Sequence, residues 1–422
     1  MKTFQWPSRP LSIFLLLSAL LDLICFVKWS VRMHVLNLPP LGTWPVLNRP
    51  AVDLLNFMPQ AYYFHTSRFF SPPDMLWPFT YPPPLAIIYF LLTLTPHSIR
   101  VFETFILLAA IAMGIWLARA MTWRGFVPVH AYGFAALTLL FSYPLAFEFR
   151  VANLEMVLFV FVAAGVWLFF SERENAAAIL FGAAAAMKYY PVIFLGLFLA
   201  KKRYLPILVG LTSAIGVMLL GLAVVTPSFR LSLRGAREGL QFFKNEYVLQ
   251  RRFAETPFDH SIFSQIKSLV HRPWLPTPES SHILMAYLGI VTVVGAALFF
   301  LRIRKLPVIN LLLCLTIAAI TLPPVSYDYT LLYLYIPFAA VVLRIRVPNV
   351  DRRLVTLAMV LFAIVFSYET EFMGGLLLFD AQIKFIALAF LFVLALVYPL
   401  PDHDRPLPGS KSTDVLVETL SS

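Results

Sequence analysis

Tyr204-Leu-Pro-Ile-Leu-Val-Gly-Leu-Thr-Ser-Ala-Ile-Gly-Val-Met-Leu-Leu-Gly-Leu-Ala-Val-Val-Thr226 carries no charge over its length and follows the basic triplet Lys201-Lys202-Arg203. A helix crossing the hydrocarbon of a bilayer needs about 20 consecutive apolar residues. This run therefore reads as a membrane span whose basic flank lies in the cytoplasm. A second uncharged run covers residues 283–301, and shorter ones recur elsewhere. Of the 422 residues 60% are hydrophobic and 13% charged, and the mean hydropathy is +0.79. Such an excess lies in repeated long runs, which excludes a soluble domain and a single anchor.

Working outward from residue 204, apolar runs and the Lys/Arg asymmetry place spans near 10–29, 100–118, 131–148, 155–170, 204–226, 283–301, 307–322, 329–343, 354–368 and 375–398. Two short arms at 176–187 and 191–200 bring the expectation to about twelve. The run Leu11 to Val27 is followed by Lys28-Trp29-Ser30 rather than a small-residue cleavage site, so it reads as an uncleaved first span. Both termini then face the cytoplasm with Arg119, Arg173, Arg302, Arg344 and Arg353, as the positive-inside rule requires. The net charge of +11 is dispersed in short clusters between apolar runs. It sets topology and gives no nucleic-acid surface.

Two external loops follow, at about 30–99 and 227–282. The first contains Tyr81-Pro-Pro-Pro-Leu-Ala-Ile-Ile-Tyr-Phe-Leu-Leu-Thr-Leu-Thr, whose prolines and length fit an interfacial or half-inserted helix better than a span. The second carries eight Lys/Arg against five Asp/Glu, a balance suited to an anionic lipid phosphate. The arms around Met187-Lys188-Tyr189-Tyr190-Pro191 can return to the cytoplasm only if the chain turns back at the proline. Residues 1–398 thus form one all-α polytopic domain, with a polar, disordered cytoplasmic tail at 399–422 and no soluble catalytic domain.

Ionisable residues inside or beside spans are functional candidates by default. Asp53 opens an amphipathic external stretch, where it could face a cavity or cap a helix. Arg150, Asn153 and Glu155 cluster at the external start of a span, suited to a phosphate or a hydroxyl-rich ligand or else to a self-satisfied ion cluster. Lys188 stands at the tip of the broken pair beside Tyr189 and Tyr190; its bland reading is a snorkelling lysine. Tyr327 and Asp328 lie at another external helix start, where Asp328 could be an ordinary cap. Asp22, Asp74, Glu103, Glu148, Glu369, Glu371 and Asp380 complete the acidic candidates, with Asp22 and Glu103 reading equally as structural. The four main clusters fall on one side of the membrane, which points to a single external site. Cys25 and Cys314 sit in apolar runs, and neither Cys nor His spacing suggests a metal.

At these residues the chain resembles the GT-C superfamily of membrane glycosyltransferases, and within it the polyprenol-phosphate-mannose-dependent mannosyltransferases of glycosyltransferase family 87, over about residues 50–345. The family's Asp, Tyr and Tyr-Pro-Pro order is met by Asp53, Tyr62 and Tyr81-Pro82-Pro83. Its Asn turn, followed by an Ala/Gly-rich helix ending Lys-x-Tyr-Pro, is met by Asn153 and Gly182-Ala-Ala-Ala-Ala-Met-Lys188-Tyr189-Tyr190-Pro191. Ser326-Tyr327-Asp328-Tyr329-Thr330 is similar to the family's Ser-Trp-Asp-His-His element with both histidines replaced. The Gly-Gln pair that usually precedes the Asn is replaced too.

The resemblance implies a catalytic Asp in the first external loop, a sugar donor carried on a lipid phosphate within the bilayer, and no soluble nucleotide-binding domain. On that basis Asp53 is expected to be the general base in an inverting transfer to a glycan or glycolipid hydroxyl. Lys188, then Arg150, would hold the phosphate, and Tyr62, Tyr81, Asn153, Glu155, Tyr189, Tyr327 and Asp328 would complete the substrate site. Membrane lipids are the surrounding partner and no further cofactor is required. The rival readings are a transporter or lipid flippase, weakened by the long first external loop and the lack of an inverted repeat, and a non-catalytic scaffold.

Overall fold

A computed structural model describes residues 8–31, 35, 51–73, 77–250, 258–269, 278–346, 351–368 and 380–400. Asp74, Glu369, Glu371, much of the two long segments expected to be external loops (36–50, 251–257 and 270–277) and the tail from 401 lie outside the described residues, as does the side chain of Asp380.

Among the described residues the chain is helical, with a lone antiparallel bridge between Asp259 and Tyr327. The order begins α1 (Arg9–Ser30), α2 (Val52–Ala61), α3 (Pro83–Thr93), α4 (Ser98–Trp123), α5 (Pro128–Leu140) and α6 (Tyr143–Val151). It continues with α7 (Glu155–Phe170), α8 (Glu174–Met187), α9 (Gly196–Ala200), α10 (Tyr204–Val224), α11 (Phe229–Phe243) and α12 (Ile262–Leu269). It ends with α13 (Pro278–Leu301), α14 (Val308–Thr321), α15 (Tyr335–Val342), α16 (Arg352–Phe366) and α17 (Asp380–Val397). Two 3-10 segments, Tyr190–Leu195 and Asp328–Leu334, lead into α9 and α15. The starts follow local chemistry. Proline stands in the first turn of α1, α3, α5 and α6, where its missing N–H is no loss. Asp351 caps α16 by accepting from the Arg353 N–H at 2.8 Å.

Among the described residues four helices are long and apolar enough to cross a membrane: Arg9–Lys28, Ser98–Trp123, Tyr204–Val224 and Ser280–Lys305. A fifth results if α5 and α6, bent by 49° at their junction, count as one span. The expected twelve are therefore not all full spans by length. Pro83–Thr93, Glu155–Phe170, Glu174–Met187, Tyr190–Ala200, Val308–Thr321, Asp328–Val342 and Ala381–Val397 are apolar but only 10–17 residues long. At about 1.5 Å per residue these reach some 15–26 Å, short of the roughly 30 Å hydrocarbon. Prolines and 3-10 turns cut the apolar runs that hydropathy alone reads as continuous.

The bundle closes on small residues and aromatic rings. Phe14 of α1 meets Phe134 of α5, Phe338 of α15 and Phe366 of α16 at centroid distances of 5.9, 4.9 and 6.3 Å. Helices α8 and α10 approach backbone to backbone. A Cβ added at Gly182 would lie 2.0 Å from the Gly210 carbonyl oxygen, and Ser213 donates to the Ile179 carbonyl at 3.0 Å. Small residues are what allow helices to pack this closely in lipid. Gly182→Ala is expected to push the two helices apart at a cost of about 1–3 kcal/mol. Thermal unfolding in detergent should show the loss, and an unchanged midpoint would refute the close approach.

The chain turns back at Lys188. Phe181 of α8 stacks on Phe194 of the 3-10 segment, with centroids 5.7 Å apart, and also meets Phe198 of α9 at 6.0 Å. Arg203, beyond α9, approaches Glu174 at the start of α8, Nε to Oε2 3.9 Å. Two arms that begin and end at the same level hold Lys188 at their tip.

Candidate functional site

The site forms where three turns meet, each prepared by its backbone. Ala152, which ends α6, is left-handed with φ 49°. Ala51, before α2, is left-handed with φ 61°, and its N–H donates to the Arg150 carbonyl at 2.9 Å. Alanine is rarely found in this region, and strain of this kind is retained where the surroundings over-determine it. These two turns bring Asp53, in the first turn of α2, against Asn153. Lys188 arrives from the hairpin tip in an extended conformation, φ −147°.

Asn153 is the joint. Its Nδ2 donates to Asp53 Oδ2 at 2.6 Å and to the Tyr81 hydroxyl at 3.1 Å. Its Oδ1 accepts from Lys188 Nζ at 3.0 Å and from the Glu155 N–H at 3.1 Å. Both amide hydrogens and both carbonyl lone pairs are thereby used. Lys188 Nζ also meets Glu155 Oε2 at 2.5 Å and lies over the rings of Tyr81 and Tyr329, 5.4 and 4.7 Å from their centroids. The other Glu155 oxygen accepts from the Tyr333 hydroxyl at 2.7 Å and from the Tyr190 hydroxyl.

Burial divides the two carboxylates. Glu155 is 0% exposed, sealed beneath two phenols and a lysine, whereas Asp53 is half-buried. Burial and the Asp53 carboxylate push the Tyr81 phenol well above its ordinary value, so Tyr81 stays protonated. Glu148 is fully buried nearby, with Oε1 accepting from the Met156 N–H at 3.4 Å and Oε2 without a hydrogen-bond partner among the described residues.

A second ionic cluster adjoins the first. Asp328 accepts from the Tyr143 hydroxyl at 2.6 Å through Oδ2, while Oδ1 faces His260 Nδ1 at 3.2 Å and Lys384 Nζ at 4.0 Å. Lys384 sits over the Tyr143 ring at 3.6 Å, and His260 Nε2 lies 3.2 Å from the Thr330 hydroxyl. Segments from the long stretch between α10 and α13, the 3-10 turn at 328 and α17 are thus brought together in the buried interior. Asp22 of α1 accepts from the Tyr368 N–H at 3.2 Å.

Next to His260, Asp259 receives the N–H groups of Ser261 and Ser326, each at 3.0 Å. Burial nevertheless pushes its carboxyl above the ordinary range, outweighing Lys267 and these donors. The folded chain therefore keeps a proton there that the unfolded chain has already released, and stability falls as pH rises through that window. Asp259→Asn has no such proton to lose. Its unfolding midpoint, measured against the parent from about pH 4 to 7, should gain on the parent as pH rises. A constant difference would show that Asp259 does not titrate there.

Of the expected residues, Asp53, Tyr81, Asn153, Glu155 and Lys188 come together directly. Asp53 is no cap, since Ala51 holds that position, and Lys188 is no snorkelling lysine, being 9% exposed and paired. Asp328 lies in the adjoining cluster, linked to the first through Tyr329, whose ring also meets that of Tyr327 at 5.9 Å. Arg150 is half-buried in the last turn of α6, its side chain making no hydrogen bond or ion pair among the described residues. Tyr62 and Tyr189 are 69% and 55% exposed and stand outside the network. Tyr190, Tyr333, Tyr329, His260 and Lys384 join in without a site role assigned from the sequence, and Glu148, named there among the acidic candidates, lies buried beside them. Among the described residues no three His, Cys, Asp or Glu side chains gather to hold a metal ion.

The family model for glycosyltransferase family 87 matches residues 79–326, more than half of the chain. The match takes in Tyr81, Arg150, Asn153, Glu155, Lys188 and Tyr189; it begins after Asp53 and ends just before Tyr327. No curated protein and no solved structure matches the chain. A helical membrane bundle whose polar network lies largely within the matched residues is a membrane glycosyltransferase: the chain belongs to glycosyltransferase family 87.

Proposed function

We propose that the protein moves a hexose, in the first instance mannose, from a polyprenyl-phosphate carrier to an acceptor hydroxyl on a glycan or glycolipid, with inversion at the anomeric carbon. One observation carries this reading: the two ends of a single carboxamide, Asn153, join a half-buried carboxylate to a buried ammonium, at 2.6 and 3.0 Å. A base for the incoming hydroxyl and a cation for the departing phosphate are what the reaction needs.

Asp53 takes the acceptor proton as the acceptor oxygen bonds to the anomeric carbon, while the bond from that carbon to the phosphate oxygen breaks and the phosphate leaves with the electron pair. The phosphate needs positive charge rather than a proton. Lys188 spends two donors on Asn153 and Glu155 and keeps a third. Arg150 brings a second cation that carries no competing ion pair among the described residues.

The carrier lipid approaches through the bilayer, and the shorter apolar helices complete a GT-C-like bundle of about twelve full or partial spans, with both termini cytoplasmic and the site on the external face. The test is transfer from radiolabelled polyprenyl-phosphate mannose to a membrane-lipid extract by the purified protein in nanodiscs. Labelled product is expected, and absent with Asp53→Asn. Failure with mannose-, glucose- and galactose-bearing carriers alike, the donors remaining intact, would overturn the reading.

A further inference from the structure

Helix α11 has a surface that the transfer reaction does not use. Residues 225–228 join it to the end of the span α10, a linker reaching at most about 14 Å. The Thr226 and Ser232 hydroxyls, 2.9 Å apart, tie that linker to the first turn of α11. The helix therefore starts at the boundary where the span leaves the hydrocarbon.

Its faces are sharply different. Ser232, Gly235 and Gly239 are buried, and a Cβ at Gly235 or Gly239 would lie 2.2 Å from the Phe70 ring or 2.0 Å from the Phe79 carbonyl oxygen. This small face presses the helix flat on the first external loop. On the open side Phe229, Leu233 and Leu240 are 44%, 53% and 53% exposed. At about 100° per residue these three fall in one narrow stripe. Arg230, Arg234 and Arg237, all exposed, line its edge, and none has an ion-pair partner among the described residues. Glu238, the one acid of α11, lies beyond the arginines, away from Leu233 and Leu240 and beside Leu231, which is 38% exposed and outside the stripe.

An apolar stripe bordered by unpaired arginines is the pattern of a helix lying in a lipid headgroup layer. Arginine meets phosphate oxygens with a planar, doubly donating fork. We infer that α11 is an interfacial helix that binds the phosphates of anionic membrane lipids through Arg230, Arg234 and Arg237, with Phe229, Leu233 and Leu240 set among the acyl chains. This site is separate from the Asn153 network and does not depend on which sugar is transferred.

The test uses the full-length protein in nanodiscs containing phosphatidylglycerol or phosphatidylcholine with a photoreactive headgroup, the labelled residues being mapped by mass spectrometry. Phosphatidylglycerol should label residues 229–243, and phosphatidylcholine should label them at least about tenfold less, given the attraction each arginine adds near an anionic surface. Labelling should fall by a similar factor in R230Q/R234Q/R237Q and persist when the same positions carry lysine. Inorganic phosphate at millimolar concentration should not compete. Equal labelling by the two lipids, labelling indifferent to the glutamine substitutions, or full competition by free phosphate would each overturn the inference. If the glutamine variant fails to fold, the comparison of the two lipids on the parent protein decides.

Discussion

Asp53→Asn should fold, bind the lipid-linked donor and transfer almost nothing. The substitution keeps an oxygen for the Asn153 Nδ2 donor that now stands 2.6 Å away, so the joint between the three turns survives. It removes the only property that matters for the proposed step, the capacity to take a proton. Loss of a positioned general base lowers turnover by about 10²–10⁴-fold. The loss should fall on kcat with little change in the KM for the donor, because nothing that holds the phosphate has been touched. Steady-state transfer with the donor varied separates the two constants. Wild-type turnover in this variant would remove Asp53 from the mechanism, and a matching collapse of thermal stability would reassign it to the fold.

A second large effect is expected at Lys188, and it divides into two parts that can be measured apart. Lys188→Met strips the buried Glu155 of its cation, and breaking one side of a buried pair costs about 3–5 kcal/mol. The Tyr190 and Tyr333 hydroxyls remain to Glu155 and soften the loss. Adding Glu155→Gln removes the orphaned charge, so the double variant should regain most of the lost unfolding midpoint. Transfer should stay at least about 100-fold down in both, since neither restores positive charge beside the leaving phosphate. If the double variant recovered activity along with stability, Lys188 would be a packing residue and the phosphate would rest on Arg150 alone.

These two residues could be found in the sequence for the same physical reason. A charge beside an apolar run is costly enough that it must be paired or used, and Asp53, Glu155 and Lys188 each stand at the edge of such a run. The partners were harder to see. Tyr333 sits in the apolar stretch Tyr329-Thr-Leu-Leu-Tyr-Leu-Tyr335, where one phenol among three reads as core. The choice between Tyr189 and Tyr190 turns on the extended backbone at Lys188 and the 3-10 segment that follows, which reverses the side chain expected to face inward. Lys384, a lone lysine within the last apolar run, is legible by the same rule as Lys188. Its contact with Asp328 and the approach of His260 depend on three segments more than 50 residues apart in sequence meeting in space, which no local pattern encodes. The helical membrane architecture followed from hydropathy. The number of complete crossings did not, because hydropathy registers composition and is blind to the bends that shorten a helix.

The hairpin formed by α8 and α9 fixes more than a contact. Because α8 is held backbone to backbone against α10 and Arg203 comes back to Glu174 at the open end, the depth of Lys188 is set by the length of one arm, much as a dipstick is read from its collar. One residue inserted into α8 would lengthen that arm by about 1.5 Å and swing everything beyond it by roughly 100°. The ammonium would then point away from Glu155 and Asn153 with every side chain of the network still present. Exchanging one small residue of this helix for another of equal size leaves that measure intact, so the arm can drift in composition while its residue count cannot.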